Sequence, residues 1–119
     1  MEKSKHILVV EDDYGIRESL DLILETMGYS VQTAVNGKEG LAKLKVQPLP
    51  SLIILDLLMP VMDRNEFVED LRADKDISHI PVFVFSAVAG LLNVKGANGV
   101  LNKPGELNSL LKIVKIYCD

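Results

Sequence analysis

The sequence predicts an α/β domain built on a parallel sheet with helices over both faces. Three observations carry this: five short apolar runs rich in Val and Ile, helical periodicity between them, and 48% apolar against 25% charged residues in 119 positions. Strands that alternate with helices assemble as a parallel sheet, and a strand covered on both sides reads as a continuous hydrophobic run. The length matches a single domain at ~100 to 200 residues per domain, so residues 1–119 are expected to form one unit. A mean hydropathy of +0.20 agrees with a chain that buries a core.

The predicted strands occupy residues 6–10, 30–35, 51–55, 80–85 and 99–101. After the first, Ile16, Leu20, Ile23, Leu24 and Met27 share a helical face, and Gly28 stands where a helix-terminating glycine belongs. Asn36 with Glu39 three positions later forms a capping pattern ahead of Leu41 and Leu44, and this helix closes before Pro48. Asp63 and Glu66 repeat the pattern ahead of Phe67, Val68 and Leu71. In the last segment Leu107, Leu110, Leu111 and Val114 make a stripe that leaves Lys112 and Lys115 outside. The interval 87–96 is short and holds Gly90 and Asn93, poor helix formers, so any helix there is brief.

Charge and cysteine content exclude several function classes. Thirteen basic and seventeen acidic residues give a net charge of -4, which offers no general field for a nucleic-acid backbone or an anionic membrane. Neither nucleic acid nor membrane is expected as a direct partner. The lone Cys118 allows no internal disulfide and no cysteine zinc cluster. No signal pattern or spanning segment of ~20 apolar residues is present, and a cytoplasmic location is expected.

Functional groups of an open α/β sheet gather at the carboxyl ends of its strands. The first strand runs into Glu11, Asp12 and Asp13, and the third into Asp56, which has Leu57, Leu58 and Met59 beyond it. A carboxylate inside an apolar run costs several kcal/mol unless it is paired or coordinated. Taken alone, Asp56 reads equally well as a cap after a strand, and the acidic triplet as a solvated turn that caps the first helix. If the two strands are neighbours, their carboxylates converge, an arrangement suited to a hard divalent cation such as Mg²⁺. The fourth strand ends at Ser86, whose hydroxyl can bond a phosphoryl oxygen. The fifth ends at Lys103, whose ammonium can pair with phosphate or with Asp56. Singly these are an ordinary cap and an ordinary surface charge; together the four strand ends form an ordered set.

The stretches 7–13, Leu55-Asp56-Leu57-Leu58-Met59-Pro60 with Met62-Asp63, Phe85-Ser86-Ala87 and Leu101-Asn102-Lys103-Pro104 resemble the receiver domain of two-component response regulators, over essentially the whole chain. The resemblance implies the doubly wound, flavodoxin-like fold of CheY, with five parallel strands in the order 2-1-3-4-5. It implies that Asp56 is the phosphoacceptor, attacking a histidine-bound phosphoryl group as a carboxylate nucleophile. Asp12 would ligate Mg²⁺ directly, Glu11 mainly through water, and Leu58 through its backbone carbonyl. Ser86 and Lys103 would hold phosphoryl oxygens during in-line transfer. A cis peptide before Pro104 is also implied. The donor would be a histidine kinase or a histidine phosphotransfer protein, and the chain a phosphorelay switch with only self-phosphorylation and self-dephosphorylation chemistry, not an enzyme.

The sequence departs from that pattern in three places. Val100 stands three positions before Lys103, where receivers commonly carry an aromatic ring that rotates inward on activation. Arg64 follows Asp63 where glycine is usual, so the loop is expected to differ locally. The interval between Ser86 and Lys103 is short by about one helical turn, which implies a truncated fourth helix and puts the usual pairing face in question. Leu58 and Val88, both apolar, flank the path of the hydrolytic water in this family, so slow loss of the phosphoryl group is expected. The competing reading is a pseudo-receiver that binds its partner independently of phosphorylation. A Mg²⁺-dependent phosphatase is disfavoured because Leu58 stands where its general acid would be.

Overall fold

The computed structural model describes residues 6–46, 48–56, 63–86, 94–103 and 105–118. Their order is β1 (His6–Glu11), α1 (Tyr14–Thr26), β2 (Ser30–Ala34), α2 (Gly37–Lys43), β3 (Leu52–Asp56), α3 (Arg64–Ala73), β4 (Val82–Ser86), β5 (Gly99–Asn102) and α4 (Leu107–Cys118). Each predicted strand forms within two residues of its expected bounds. The brief helix expected from residue 87 falls mainly on residues 87–93, outside the described residues, as do Leu58, Val88 and the peptide before Pro104. The label α4 therefore belongs to the final helix. Among the described residues, no helix is long and apolar enough to cross a membrane.

All five strands are parallel, in the order β2-β1-β3-β4-β5. This is a doubly wound, flavodoxin-like sheet: the chain builds outward from β1 to one side and then returns to build from β3 to the other. The order reverses between β1 and β3, and in open sheets of this kind ligands bind outside the carboxyl ends of the strands at such a point. The register there sets Glu11 directly opposite Asp56.

Side chains of alternate residues enter two separate cores. Leu8, Val10, Ile53, Leu55, Val82 and Val84 pack with Leu44, Phe67, Val68 and Leu71 beneath α2 and α3. Ile7, Val9, Leu52, Ile54, Phe83 and Phe85 pack with Leu20, Leu24, Leu110 and Val114 beneath α1 and α4. With neither face exposed, β1, β3 and β4 have to be apolar throughout, which is why their sequences do not alternate. Val100 packs against the first core and Leu101 against the second.

Local chemistry sets the helix ends. Asp13 caps α1 by accepting from the Ile16 N–H at 2.9 Å. Its other end closes with Gly28 at φ 96°, where the Tyr29 N–H reaches the Leu24 carbonyl and the Gly28 N–H reaches that of Glu25, a Schellman closure that needs the positive φ. Asn36 and Asp63 cap α2 and α3 through the N–H groups of Glu39 and Glu66. The reciprocal Glu39 carboxylate accepts from Val35, one residue ahead of the cap. Close approach of α2 to the sheet requires Gly40, where a Cβ would stand 3.0 Å from Val10 Cγ2 and 3.1 Å from Phe67 Cε2. Cys118 is buried in the second core and forms no disulfide, and the Tyr117 ring lies 5.7 Å from that of Phe83.

Candidate functional site

Glu11 and Asp56 end adjacent strands with apolar residues behind them, so both carboxyl groups are held at the edge of the core. They are only 2% and 6% exposed. Removing two like charges from water requires compensation, and Lys103 supplies it from the end of β5. Its ammonium donates both to Glu11 Oε1 and to Asp56 Oδ2. The Lys103 side chain is 9% exposed, lies 5.8 Å from the centre of the Phe85 ring, and is anchored by a 3.0 Å bond from its backbone N–H to the Ser86 carbonyl. Ser86 is itself buried, at the end of β4 and paired in register with Asn102.

The second Glu11 oxygen accepts from the Asp13 N–H at 3.2 Å, and the Glu11 carbonyl accepts from Arg17 Nη1 at 3.0 Å. Burial pushes the Glu11 carboxyl up to about 7, assisted by the charge of Asp56, and the bonds from Lys103 and Asp13 offset only part of this. Burial alone would lower Lys103, but bonding and charge from Asp56 and Glu11 outweigh it, so its pKa rises. The ammonium therefore stays charged between its two carboxyl partners.

Arg64 also reaches this cluster. As the first residue of α3, behind the Asp63 cap, it places Nη2 3.5 Å from Asp56 Oδ1. From sequence, Arg64 is read as a local loop difference and as one ground for the pseudo-receiver alternative. The signal available was its spacing: eight positions after Asp56 and first in a helix, a long cation can turn back over the strand end.

Asp12 is exposed, and Leu58 lies outside the described residues. Among the described residues no three His, Cys, Asp or Glu side chains form a ready metal cage. The donor chemistry nevertheless fits Mg²⁺, which binds through one or two carboxylates and retains waters. Both carboxylates supply hard oxygens, and Asp56 Oδ1 is buried without a hydrogen bond. The arrangement is a buried carboxylate with one oxygen held by an ammonium and the other, without a hydrogen bond, facing the Arg64 guanidinium.

The family model of the response regulator receiver domain matches residues 7–115. The chain is 36% identical to the DNA-binding dual master transcriptional regulator RpaA of Synechocystis sp. over 114 residues, covering 92% of this chain and 47% of RpaA. It therefore spans about half the length of the curated relatives it matches. The structure of Vibrio cholerae chemotaxis protein CheY4 superposes with a TM-score of 0.81 at 30% identity, covering 96% of this chain and 98% of CheY4. The Thermotoga maritima response regulator TrrA, in complex with Mg²⁺-BeF, gives a TM-score of 0.82 at 30% identity, covering 98% and 99%.

Proposed function

The chain belongs to the response regulator receiver domain family, and from that premise we propose that Asp56 accepts a phosphoryl group from a phosphohistidine and that the modified chain changes its affinity for a partner. As a receiver it is a two-component signalling domain rather than a classical enzyme. The observation that carries the reading is the state of Asp56: buried at a strand end, one oxygen bonded to Lys103 and the other without a hydrogen bond. An oxygen in that condition retains its lone pairs for attack. The Mg²⁺-BeF complex of TrrA supports the same chemistry here.

In the proposed transfer, Asp56 Oδ1 forms a bond to phosphorus while the bond from phosphorus to the donor imidazole nitrogen breaks. The electron pair stays on that nitrogen, and the ring leaves as neutral imidazole because its other nitrogen already carries a proton in the donor. Lys103 holds the carboxylate in place and then offers its N–H groups to phosphoryl oxygens; the Ser86 hydroxyl is assigned a second such contact. Glu11 and Asp56, with Asp12 and the Leu58 carbonyl, are the proposed ligands of Mg²⁺, which supplies neutralisation of the charge on the transferring group when bound. The proposed unit is residues 1–119, with a histidine kinase or histidine phosphotransfer protein as donor. RpaA is named for DNA binding, but these residues carry a net charge of -4, and no nucleic-acid contact is proposed for them.

The test is incubation with acetyl phosphate and Mg²⁺ followed by intact-mass measurement. A gain of one phosphoryl group, absent in Asp56→Asn, is the expected result. No gain in the unmodified chain would instead favour a phosphorylation-independent pseudo-receiver, a reading that draws on the two cations already beside Asp56.

A further inference from the structure

We propose that Arg64 is a phosphoryl-binding residue, whose guanidinium takes up oxygens of the group carried by Asp56. This rests on the reading of Asp56 as phosphoacceptor and adds to it a side chain that the family pattern does not supply.

The Arg64 side chain is only 12% exposed, and neither Nε nor Nη2 has a hydrogen-bond partner among the described residues although both atoms are buried. Buried donors without acceptors are costly, and more so on a charged group. The facing oxygen, Asp56 Oδ1, is equally unbonded. At 3.5 Å, Nη2 and Oδ1 are an ion pair without hydrogen-bond geometry. A guanidinium retained solely to neutralise a carboxylate normally closes a two-pronged contact with it; here the carboxylate is pinned on its far side by Lys103 and the fork remains unfilled.

A phosphoryl group bonded at Oδ1 changes this balance. It places three more acceptor oxygens next to the fork, whose planar N–H array matches phosphate. It also adds negative charge directly beside the Lys103 ammonium and the Arg64 guanidinium, the two cations that face Asp56. Before transfer, the Arg64 charge opposes the arrival of Mg²⁺ at the same carboxylate. Loss of Arg64 should therefore weaken phosphoryl binding while strengthening Mg²⁺ binding in the unmodified chain, two shifts of opposite sign that a purely structural role would not produce.

Beryllofluoride serves as the phosphoryl probe, titrated by calorimetry at saturating Mg²⁺ into the unmodified chain, Arg64→Gln and Arg64→Lys. Half-saturation should rise about tenfold or more in Arg64→Gln, the scale of a charge-assisted hydrogen bond, and less in Arg64→Lys. Mg²⁺ alone should bind Arg64→Gln several-fold more tightly. In the unmodified chain the Arg64 Nε–H resonance, identified by its loss in Arg64→Lys, should move downfield when beryllofluoride binds; this reading does not depend on how a variant folds. Equal half-saturation in all three proteins with an unmoved Nε–H would overturn the role of Arg64. If the unmodified chain gains phosphoryl mass while Arg64 stays silent, the inference alone fails. If it gains no mass and binds no beryllofluoride, the phosphoacceptor reading fails with it.

Discussion

Glu11 has the most perturbed environment of the residues that meet at the strand ends, and its titration has a definite sign. Its carboxyl is raised from 4.5 to about 7 in the folded chain, so the folded state holds this proton more tightly than the unfolded state. The corresponding stability is fully present below about pH 4.5 and is lost as pH rises through about 7. Urea titrations without metal should show stability falling over that window, and Glu11→Gln should flatten the fall. Replacing Asp56 by Asn removes a neighbouring charge that raises Glu11; the Glu11 carboxyl resonance should then titrate at lower pH. At the same scale, Leu58→Asn should speed decay of the Asp56 phosphate if an apolar flank slows hydrolysis; slower decay would reverse that expectation.

At the scale of elements, Arg72 near the end of α3 has a role that its sequence position does not advertise. Its guanidinium donates to the carbonyls of Gly96, Ser78 and Ile80 and to the Asn98 side chain. It thereby ties α3 to the segments leading into β4 and β5, the strands that deliver Ser86 and Lys103. Arg72→Ala should cost about 2 to 3 kcal/mol in chemical denaturation, as expected for lost charged hydrogen bonds. Arg72→Lys should recover little, since an ammonium cannot match the planar fork. Two short signals were readable here beforehand: Asn36 and Asp63 each cap a helix as the spacing to Glu39 and Glu66 predicts. The Arg72 contacts were not readable, because their acceptors are mostly backbone carbonyls, which carry no residue identity.

For the molecule as a whole, the sheet belongs equally to two cores, since β1, β3 and β4 send alternate residues into each. The two layers are therefore expected to unfold together. Phe67→Ala in one core should cost about 3 to 5 kcal/mol and Leu24→Ala in the other about 2 to 5. Both should shift the urea midpoint of one cooperative transition without changing its slope. Tyrosine fluorescence is the suitable tertiary probe, because the chain has no tryptophan.

The sequence by itself determined the α/β class, the strands and the helix caps, because periodicity and capping act over a few residues and are written in residue type. It also singled out Glu11, Asp12, Asp56, Ser86 and Lys103, since polar groups that end apolar runs stand out against them. Only the tertiary structure decided which of these touch: Lys103 bridges Glu11 and Asp56, while Asp12 is exposed. It also turned Arg64 from a loop irregularity into a neighbour of Asp56. Those outcomes depend on strand order and on where a long, flexible side chain finds opposite charge, and both are set by segments far apart along the chain.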